Sequence, residues 1–370
     1  MRILVTGGGT GGHIYPALAI IKGLAATGDH RFFYIGSKKG MEADIVSREG
    51  IPFAGIEIEG LPRTLSPRLI RALGRVPAAV WQAWCYIKEF RPQVVVGTGG
   101  YVSGPVFLAA LLAGVPFVIH EQNAYPGLTN RLLASRAATV CATFEDSVPR
   151  FPAGARVVVT GLPVRPGIGQ ADREEARIKV GLVPEKKTLL VFGGSRGARS
   201  INMAMVEAYR YIVKRGDLQV LHATGRLTYE ETLTAMRQAG IDPEKNGNIK
   251  IVPYLYEMEM ALAAADLVVC RAGAATIAEI TLQGLPSILI PYPYAAENHQ
   301  EYNAMALVKR GAAVMIRDRE LNGQLLWQRI EEILENGELR REMAERAKAM
   351  ARPQALEEIV AVIYRVARKE

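Results

Sequence analysis

The chain has 370 residues, of which 49% are hydrophobic and 22% are charged, a balance typical of globular rather than disordered proteins. This length favours about two domains, and three widely separated cysteines favour a reducing compartment over a disulfide framework. The net charge of +8 favours anionic partners such as phosphorylated molecules or lipid headgroups. Because the sequence has no RNA-binding signature or zinc-finger spacing, we expect no nucleic acid partner. The longest apolar run, residues 106–119, is too short to span a bilayer.

The first half of the chain alternates apolar runs with helix-like segments. Continuous apolar strands separated by helices are typical of a parallel sheet covered on both faces, so this half predicts a doubly wound α/β domain. The predicted strands are Ile3–Thr6, Phe32–Ile35, Phe53–Ile58, Val94–Gly97, Phe117–His120 and Thr139–Thr143. The predicted helices include Pro16–Ala26, Glu42–Glu49 and Ser103–Ala113.

The segment from residue 67 to residue 92 has apolar residues at helical spacing, with an expected interruption at Pro77. Its arginines fall on another face, which suits anionic lipid headgroups. An ordinary amphipathic helix packed on the sheet is the alternative. The residues expected to contact a membrane are Leu69, Ile70, Leu73, Trp81, Arg68, Arg71 and Arg75.

The second half begins after a stretch rich in glycine and proline, residues 160–170, which predicts a linker. A strand at Thr188–Phe192, a glycine loop at Gly193–Gly197 and a helix then repeat the order seen at the start of the chain. The tail from residue 352 predicts one last helix. Two Rossmann-like domains in tandem follow, with ligands expected at the carboxyl ends of the strands, in a cleft between the domains.

Three glycine loops follow predicted strands, and they are "GGGTGGH", "GTGGYVSGP" and the loop at Gly193–Gly197. None matches a dinucleotide fingerprint with its ribose-binding carboxylate, and none has a Walker lysine. A tight turn explains one such loop without a ligand. Three at strand ends favour phosphate or sugar contacts through backbone amides at helix N-termini.

The stretch "VVCRAGAATIAEI" allows two interpretations. Thr276 and Glu279 match a capping box, which needs no ligand. Alternatively, the amides near Ala274 to Ile277 hold a diphosphate while the Glu279 carboxylate accepts the hydroxyls of a ribose. The polar runs "HEQN" from His120 and "NHQ" from Asn298 also follow predicted strands, where they suit hydrogen bonding to sugars.

These stretches, together with "GLPVR" and "ENHQEYNA", lie in an order that closely resembles the MurG family of bacterial N-acetylglucosaminyltransferases. The resemblance implies the GT-B fold: two Rossmann-like parallel-sheet domains facing across a cleft. It also implies transfer of N-acetylglucosamine from UDP-N-acetylglucosamine to the C4 hydroxyl of MurNAc in lipid I, which forms lipid II with inversion. Other GT-B UDP-sugar enzymes, a UDP-sugar epimerase and a nonenzymatic UDP-sugar-binding scaffold remain alternatives.

The resemblance also implies roles for individual residues. Ser195 and the backbone amides from Ala274 to Ile277 would hold the diphosphate. Glu279 would bind the ribose, the Leu255 backbone would pair with the uracil, and Gln300 would bind the sugar. The full donor set is Thr10, Gly11, Gly12, Asn123, Arg165, Ser195, Leu255, Ala274, Ala275, Thr276, Ile277, Ala278, Glu279 and Gln300. Gly99, Gly100 and Tyr101 would bind the acceptor. Arg196 and Ala272 depart from the family's usual glutamine and serine, which leaves the roles of these two side chains open.

Transfer requires a base for the acceptor hydroxyl and positive charge for the departing diphosphate. His13 ends a glycine loop, and histidine is the most frequent general base in enzymes, so it is the first candidate base, and Glu121 is its rival. No two aspartates stand two residues apart. We therefore expect helix N-termini and Arg165 to neutralise the diphosphate without a metal or other cofactor.

The expected domains are an acceptor and membrane-side domain at 1–162, completed by a helix at about 353–370, and a donor-binding domain at 166–345. The resemblance places the protein peripherally on the cytoplasmic face of the cell membrane. The expected partners are UDP-N-acetylglucosamine, lipid I, the anionic inner membrane surface, and cell-wall and division proteins.

Overall fold

The computed structural model describes residues 1–60, 67–194, 197–243 and 245–368, and for residues 67–73 it describes the backbone alone. The chain divides into two compact units. The first unit comprises Met1–Pro163 and Arg352–Glu370, and the second comprises Val164–Ala351. The division after Pro163 lies in the stretch rich in glycine and proline.

In the described part of the first unit, seven parallel strands form one sheet in the order β3-β2-β1-β4-β5-β6-β7. The strand order reverses between β1 and β4, which is where ligands bind in open α/β sheets. The strands are β1 (Arg2–Thr6), β2 (Arg31–Ser37), β3 (Phe53–Ile56), β4 (Val94–Gly97), β5 (Phe117–Glu121), β6 (Thr139–Ala142) and β7 (Val157–Val159). The helices are α1 (Gly11–Ala26), α2 (Met41–Arg48), α3 (Pro67–Phe90), α4 (Ser103–Ala113), α5 (Leu128–Leu133) and α14 (Ala355–Arg368).

The sheet of the first unit is buried on both faces because its strands are apolar at successive positions. Ile3 and Val5 pack in one cluster with side chains of α1 and α14. Leu4, between them, belongs to the opposite cluster, which includes side chains of α3 and α4. The C-terminal helix therefore completes the core of the first unit.

The second unit repeats this architecture. In its described part, six parallel strands run in the order β10-β9-β8-β11-β12-β13. The strands are β8 (Lys187–Phe192), β9 (Leu218–Ala223), β10 (Ile249–Val252), β11 (Leu267–Cys270), β12 (Ser287–Leu289) and β13 (Ala313–Met315). The helices are α6 (Arg173–Lys179), α7 (Arg199–Ile212), α8 (Tyr229–Gln238), α9 (Met258–Ala264), α10 (Ala274–Gln283), α11 (His299–Val308), α12 (Gly323–Glu335) and α13 (Gly337–Ala349).

The predicted strands and helices are confirmed, with boundaries that shift by a few residues. Two expectations are wrong. The helix predicted from Pro16 begins at Gly11, because the last glycines of the loop form its first turn. The interruption expected at Pro77 does not occur, since α3 continues through this residue to Phe90. Among the described helices, none is both long enough and apolar enough to cross a membrane.

Candidate functional site

The first glycine loop, Gly7–Gly12, follows β1 and is packed mainly against protein. The Tyr34 hydroxyl donates to the Gly7 carbonyl at 2.6 Å, and the Gly9 amide donates to a Glu42 carboxylate oxygen at 3.2 Å. A Cβ at Gly8 would lie 2.4 Å from that carboxylate. Burial, with a smaller effect from Glu42, raises the pKa of Tyr34 far above its usual value, so the phenol remains a donor.

Gly12 differs from the glycines before it. A Cβ at Gly12 would meet only the Thr10 hydroxyl, at 3.6 Å, and both Thr10 and Gly12 are exposed. Thr10 is the N-cap of α1, with extended backbone. The amides of this first helical turn are thus the part of the loop that a ligand can approach.

The second loop, Thr98–Tyr101, follows β4 and lies directly against the first. The Gly8 amide is 3.3 Å from the Gly99 carbonyl, to which it donates. Gly100 has a φ of +85°, and a Cβ there would lie 2.3 Å from the Gly8 carbonyl oxygen. Only glycine satisfies both the backbone angle and the close approach.

His13 lies where these two loops meet. Its Nδ1 is 2.9 Å from the Thr98 carbonyl oxygen and 2.8 Å from Gln122 Oε1. The Thr98 hydroxyl donates to the His13 carbonyl at 2.8 Å, which fixes the backbone beneath the ring. The ring is half-buried and lies against Gly99. His13 can therefore act as a base through Nε2 while Nδ1 holds the ring in place.

Gln122 and His120 continue the contacts behind His13. Gln122 Nε2 donates to His120 Nδ1 at 2.9 Å and to the His120 carbonyl at 2.8 Å. His120 Nε2 donates to the Gly161 carbonyl at 3.0 Å. Burial lowers the pKa of His120 to about 4, so this ring is neutral at neutral pH.

Glu121 is buried, and both of its carboxylate oxygens accept hydrogen bonds from the following loop. Oε1 accepts from the Asn123 amide at 2.9 Å and from Asn123 Nδ2 at 3.3 Å. Oε2 accepts from the Gly127 amide at 3.0 Å and from Asn130 Nδ2 at 2.7 Å. This carboxylate shapes the loop that carries Asn123.

In the second unit, α10 begins immediately after β11. Gly273 is its N-cap, with extended backbone, so Thr276 and Glu279 are the third and sixth residues of the helix. The capping-box interpretation is therefore wrong, because that motif needs its threonine at the N-cap. The Ile277 amide donates to the Gly273 carbonyl at 2.9 Å. The expectation that Ile277 offers a free amide is also wrong, and Ala274, Ala275 and Thr276 supply the amides that precede the intrahelical bonds.

Glu279 lies on α10 with a side chain only 7% exposed, and its Oε1 is 2.9 Å from Arg165 Nε. Burial raises the pKa of Glu279, and the Arg165 guanidinium opposes that rise. Arg165 is itself half-exposed and belongs to the same unit. The carboxylate keeps acceptor capacity beyond its arginine contact, as a ribose-binding group requires.

The remaining predicted donor residues lie on loops and helix starts after the strands. Leu255 is half-buried between β10 and α9, and Gln300 is in the first turn of α11. Gln300 Oε1 accepts from the Tyr292 amide at 2.9 Å, which fixes the orientation of this side chain. Ser195 and Arg196 lie outside the residues that the structure describes.

Arg271 is a functional candidate that the sequence analysis missed. It follows β11 and donates to the carbonyls of Ile290 and Pro291 at 3.2 and 3.1 Å, to Asp318, and to the Ser200 hydroxyl at 2.9 Å. One guanidinium thus connects the loop before Gly273 to the ends of the neighbouring strands. The arginine in "CRAG" was the only signal, and its partners lie 19 to 71 residues away.

The candidate membrane surface involves α3 and α4, which pack together. Trp81 is 63% exposed and stacks on Trp84, with ring centroids 5.0 Å apart. The helix α4 adds exposed leucines at 108, 111 and 112 that the sequence analysis missed. Arg75 pairs with Glu59, so its charge is partly neutralised. The side chains of Leu69, Ile70, Leu73, Arg68 and Arg71 lie outside the described residues.

Two parallel-sheet α/β domains in tandem, with glycine loops and helix N-termini at the carboxyl ends of their strands, define a protein of the GT-B fold. Residues 3–142 match the glycosyltransferase family 28 N-terminal domain, and residues 188–359 match the family's C-terminal domain. The chain belongs to glycosyltransferase family 28.

Relatives of the chain carry a specific name. A protein of Moorella thermoacetica is 52% identical over 366 residues, 99% of each chain, and one of Desulforamulus reducens is 51% identical over 367 residues, also 99% of each. Both are named UDP-N-acetylglucosamine–N-acetylmuramyl-(pentapeptide) pyrophosphoryl-undecaprenol N-acetylglucosamine transferase. The crystal structure of MurG from Acinetobacter baumannii has a TM-score of 0.81 at 32% identity and covers 98% of this chain and 99% of that one.

Proposed function

We propose that this chain transfers N-acetylglucosamine from UDP-N-acetylglucosamine to the C4 hydroxyl of the N-acetylmuramyl group of lipid I, which yields lipid II. The observation that carries this proposal is the 52% identity over 99% of the chain to a relative named for this reaction. The acceptor oxygen attacks the anomeric carbon while UDP departs from the opposite face, so the configuration at that carbon inverts.

The second unit binds the donor in this proposal. The amides of Ala274, Ala275 and Thr276 hold the diphosphate at the positive end of α10, with Ala278 one turn further along. Ser195 contributes from the glycine loop after β8. Glu279, oriented by Arg165, accepts the ribose hydroxyls. The Leu255 backbone pairs with uracil, and Gln300 binds the sugar.

His13 is the general base. Two acceptor oxygens at Nδ1 leave Nε2 with its lone pair for the acceptor hydroxyl. Glu121 is a weaker candidate, since four donors already occupy its carboxylate oxygens. It acts instead by shaping the loop after β5.

The first unit binds the acceptor through Gly99, Gly100 and Tyr101, and it contributes Thr10, Gly11, Gly12 and Asn123 to the donor. The departing diphosphate is neutralised by helix N-termini and Arg165, so the reaction needs no divalent cation. The exposed apolar residues of α3 and α4 attach the first unit peripherally to the anionic cytoplasmic face of the membrane. Other proteins of cell-wall synthesis and division act as partners there.

The decisive experiment incubates the full chain with UDP-N-acetylglucosamine and a lipid I analogue. We expect a disaccharide product with a β-glycosidic bond, visible by NMR, and undiminished turnover in EDTA. UDP-glucose should be a poor donor. Turnover that EDTA abolishes and magnesium restores would contradict the cation-free mechanism. UDP-sugar binding without any transfer would instead favour a scaffold.

A further inference from the structure

A continuous chain of hydrogen bonds leads from the Gly161 carbonyl to the imidazole of His13. Its members are His120 and Gln122, which are both buried and which the transfer mechanism above does not use. The sequence separations are 41 residues between Gly161 and His120 and 109 residues between Gln122 and His13. The contacts are therefore a product of the fold.

Backbone carbonyls at the two ends of this chain fix the direction of every hydrogen bond in it. A carbonyl oxygen only accepts, so the Gly161 carbonyl requires a proton on His120 Nε2. The neutral His120 ring then has an unprotonated Nδ1, which accepts from Gln122 Nε2. The amide oxygen of Gln122 consequently faces His13. At the other end, the Thr98 carbonyl independently requires a proton on His13 Nδ1.

We propose that Gln122 and His120 are positioning residues that hold His13 as its Nδ1–H tautomer, with Nε2 directed to the substrate hydroxyl. The inference rests on the proposed role of His13 as the base. His120 fixes the orientation of the Gln122 amide, and Gln122 Oε1 is the second acceptor for the His13 proton. A flipped amide would place Nε2 against a protonated nitrogen and leave His120 Nδ1 without its donor.

The first readout is the tautomer itself, measured by 15N NMR on protein labelled at its five histidines. The His13 signals are assigned by their loss in His13→Ala. We expect a protonated Nδ1 and an unprotonated Nε2 in the unliganded wild type. A wild-type His13 that is protonated at Nε2 would overturn the proposal.

The second readout compares two substitutions of Gln122. Gln122→Leu removes the acceptor, so the Nε2–H tautomer should become populated and kcat should fall about tenfold to a hundredfold, below the full contribution of a general base. The KM for UDP-N-acetylglucosamine should change less than about twofold, because binding does not use the base. Gln122→Glu keeps the acceptor that faces His13 but loses the donor to His120 Nδ1, so it should keep the Nδ1 proton of His13 and retain more activity than Gln122→Leu, at a cost in stability. Its carboxylate also favours the imidazolium form, which should move the acidic limb of the kcat profile to higher pH.

Gln219→Leu is the matched control. Gln219 is equally buried and donates to the Val183 carbonyl at 2.7 Å and to the Thr188 hydroxyl at 3.0 Å in the other unit. Gln219→Leu should lower the free energy of unfolding without changing kcat or the tautomer of His13. The proposal fails if Gln122→Leu leaves the tautomer and kcat unchanged, or if Gln122→Glu is impaired as much as Gln122→Leu. If Gln122→Leu does not fold, the wild-type spectrum and Gln122→Glu still decide.

These readouts separate the inference from the proposed function. An inactive wild-type protein with a protonated His13 Nδ1 would refute the transferase proposal and leave the chain of hydrogen bonds intact. An active enzyme with the opposite tautomer would refute the positioning role alone.

Discussion

At the scale of single residues, the histidines of the first unit differ in their surroundings. His120 is buried and neutral, whereas His13 is half-buried with one ring nitrogen held by oxygen acceptors. His30 lies elsewhere in the unit, where it contacts the N-terminal amine and the Tyr364 hydroxyl. Both ring nitrogens of His30 have hydrogen-bond partners, whereas the described contacts of His13 hold Nδ1 and leave Nε2 for a substrate.

We expect His13→Ala to lower kcat by about 10²- to 10⁴-fold, the usual contribution of a general base. The dissociation constant for UDP, measured by calorimetry, should remain nearly the same, because the second unit holds the nucleotide. His30→Ala is the control and should turn over normally. Near-normal turnover in His13→Ala would remove this residue from the mechanism.

Glu279 predicts a dependence of nucleotide binding on pH. Its pKa is raised by burial, so protonation begins at a higher pH than the ordinary 4.5 of a glutamate. Protonation removes an acceptor for the ribose hydroxyls, so the affinity for uridine should fall as the pH is lowered toward that range. Uridine has no phosphate that titrates there. Glu279→Gln should bind more weakly and show a flatter profile, and parallel profiles for the two proteins would contradict the role of Glu279.

The same shift has the opposite sign for the stability of the unliganded protein. A raised pKa means that the folded state binds this proton more readily than the unfolded chain. The contribution to the free energy of unfolding is therefore present below pH 4.5 and is lost as the pH rises through the raised pKa. Nucleotide binding therefore requires the ionised form of Glu279, which the unliganded protein disfavours.

At the scale of elements, the N-terminus of α10 can be tested with a single proline. Gly273 has a φ of −69° and a ψ of 143°, which suits a residue before proline, and Ala274 is the first helical residue. Ala274→Pro removes one amide donor and keeps the helix. We expect the affinity for UDP to fall about tenfold to a hundredfold, as for a lost hydrogen bond to a charged group.

Gly337→Pro provides the matched control for that substitution. Gly337 is likewise the first residue of a helix, α13, and a side chain there would meet open space. The affinity of Gly337→Pro for UDP should equal that of the wild type. Circular dichroism and thermal unfolding should show that both variants keep their helices. Unchanged UDP affinity in Ala274→Pro would show that this amide does not hold the diphosphate.

The helices α3 and α4 predict binding to lipid vesicles. Leu112 is 71% exposed on α4, and we expect Leu112→Glu to reduce co-sedimentation with anionic vesicles through lost apolar contact and added charge repulsion. Ile178→Glu is the control, because Ile178 is 65% exposed on α6 in the other unit. Equal loss in both variants would indicate a nonspecific effect of charge.

Sequence patterns predicted most strands because continuous apolar runs such as Ile3–Val5 must be buried on both faces. They missed β7, whose three valines lie beside the linker and are too few for a periodicity. They made no prediction for β9, β10 and β13 of the second unit. They placed the start of α1 too late because glycines suggest a loop. They also predicted a break at Pro77 that tertiary packing overrides.

The position of a candidate segment at a helix start was predictable where the motif lies in one segment, as at Gly273–Glu279, and the roles of its residues stay predictions. The contacts of the site were not predictable where they join distant segments. Glu42 supports Gly9 from 33 residues away, and Gln122 reaches His13 across 109. A single sequence contains the polar residues but not the register that brings them together.

At the scale of the whole molecule, the chain passes between the units twice, after Pro163 and before Arg352. The residues before the first passage and those after the second contact each other within the first unit. Gly161 has a φ of +88°, and a Cβ there would lie 2.4 Å from Arg352 Cβ. Arg352 also donates to Glu145 at 2.9 Å. The attachment of the C-terminal helix thus depends on a glycine beside the linker.

We expect Gly161→Ala to lower the free energy of unfolding, measured with urea. Gly154→Ala is the matched control, because Gly154 has the same φ of +88° but open space around it. The control should cost about 1–2 kcal/mol, the usual penalty for a left-handed alanine. Gly161→Ala should cost roughly 1–3 kcal/mol more, as for other overpacked sites. Equal losses of unfolding free energy in Gly161→Ala and Gly154→Ala would show that the Arg352 side chain moves aside without strain.

The contact between Gly8 and Gly100 limits how this protein can be recombined with its relatives. Because the carbonyl of one loop fills the space that a side chain on the other would need, neither loop can change its backbone path alone. A chimera that imports residues 7–12 from a distant homologue must import residues 97–101 with them. The two stretches must therefore be exchanged together, although about 85 residues of chain separate them.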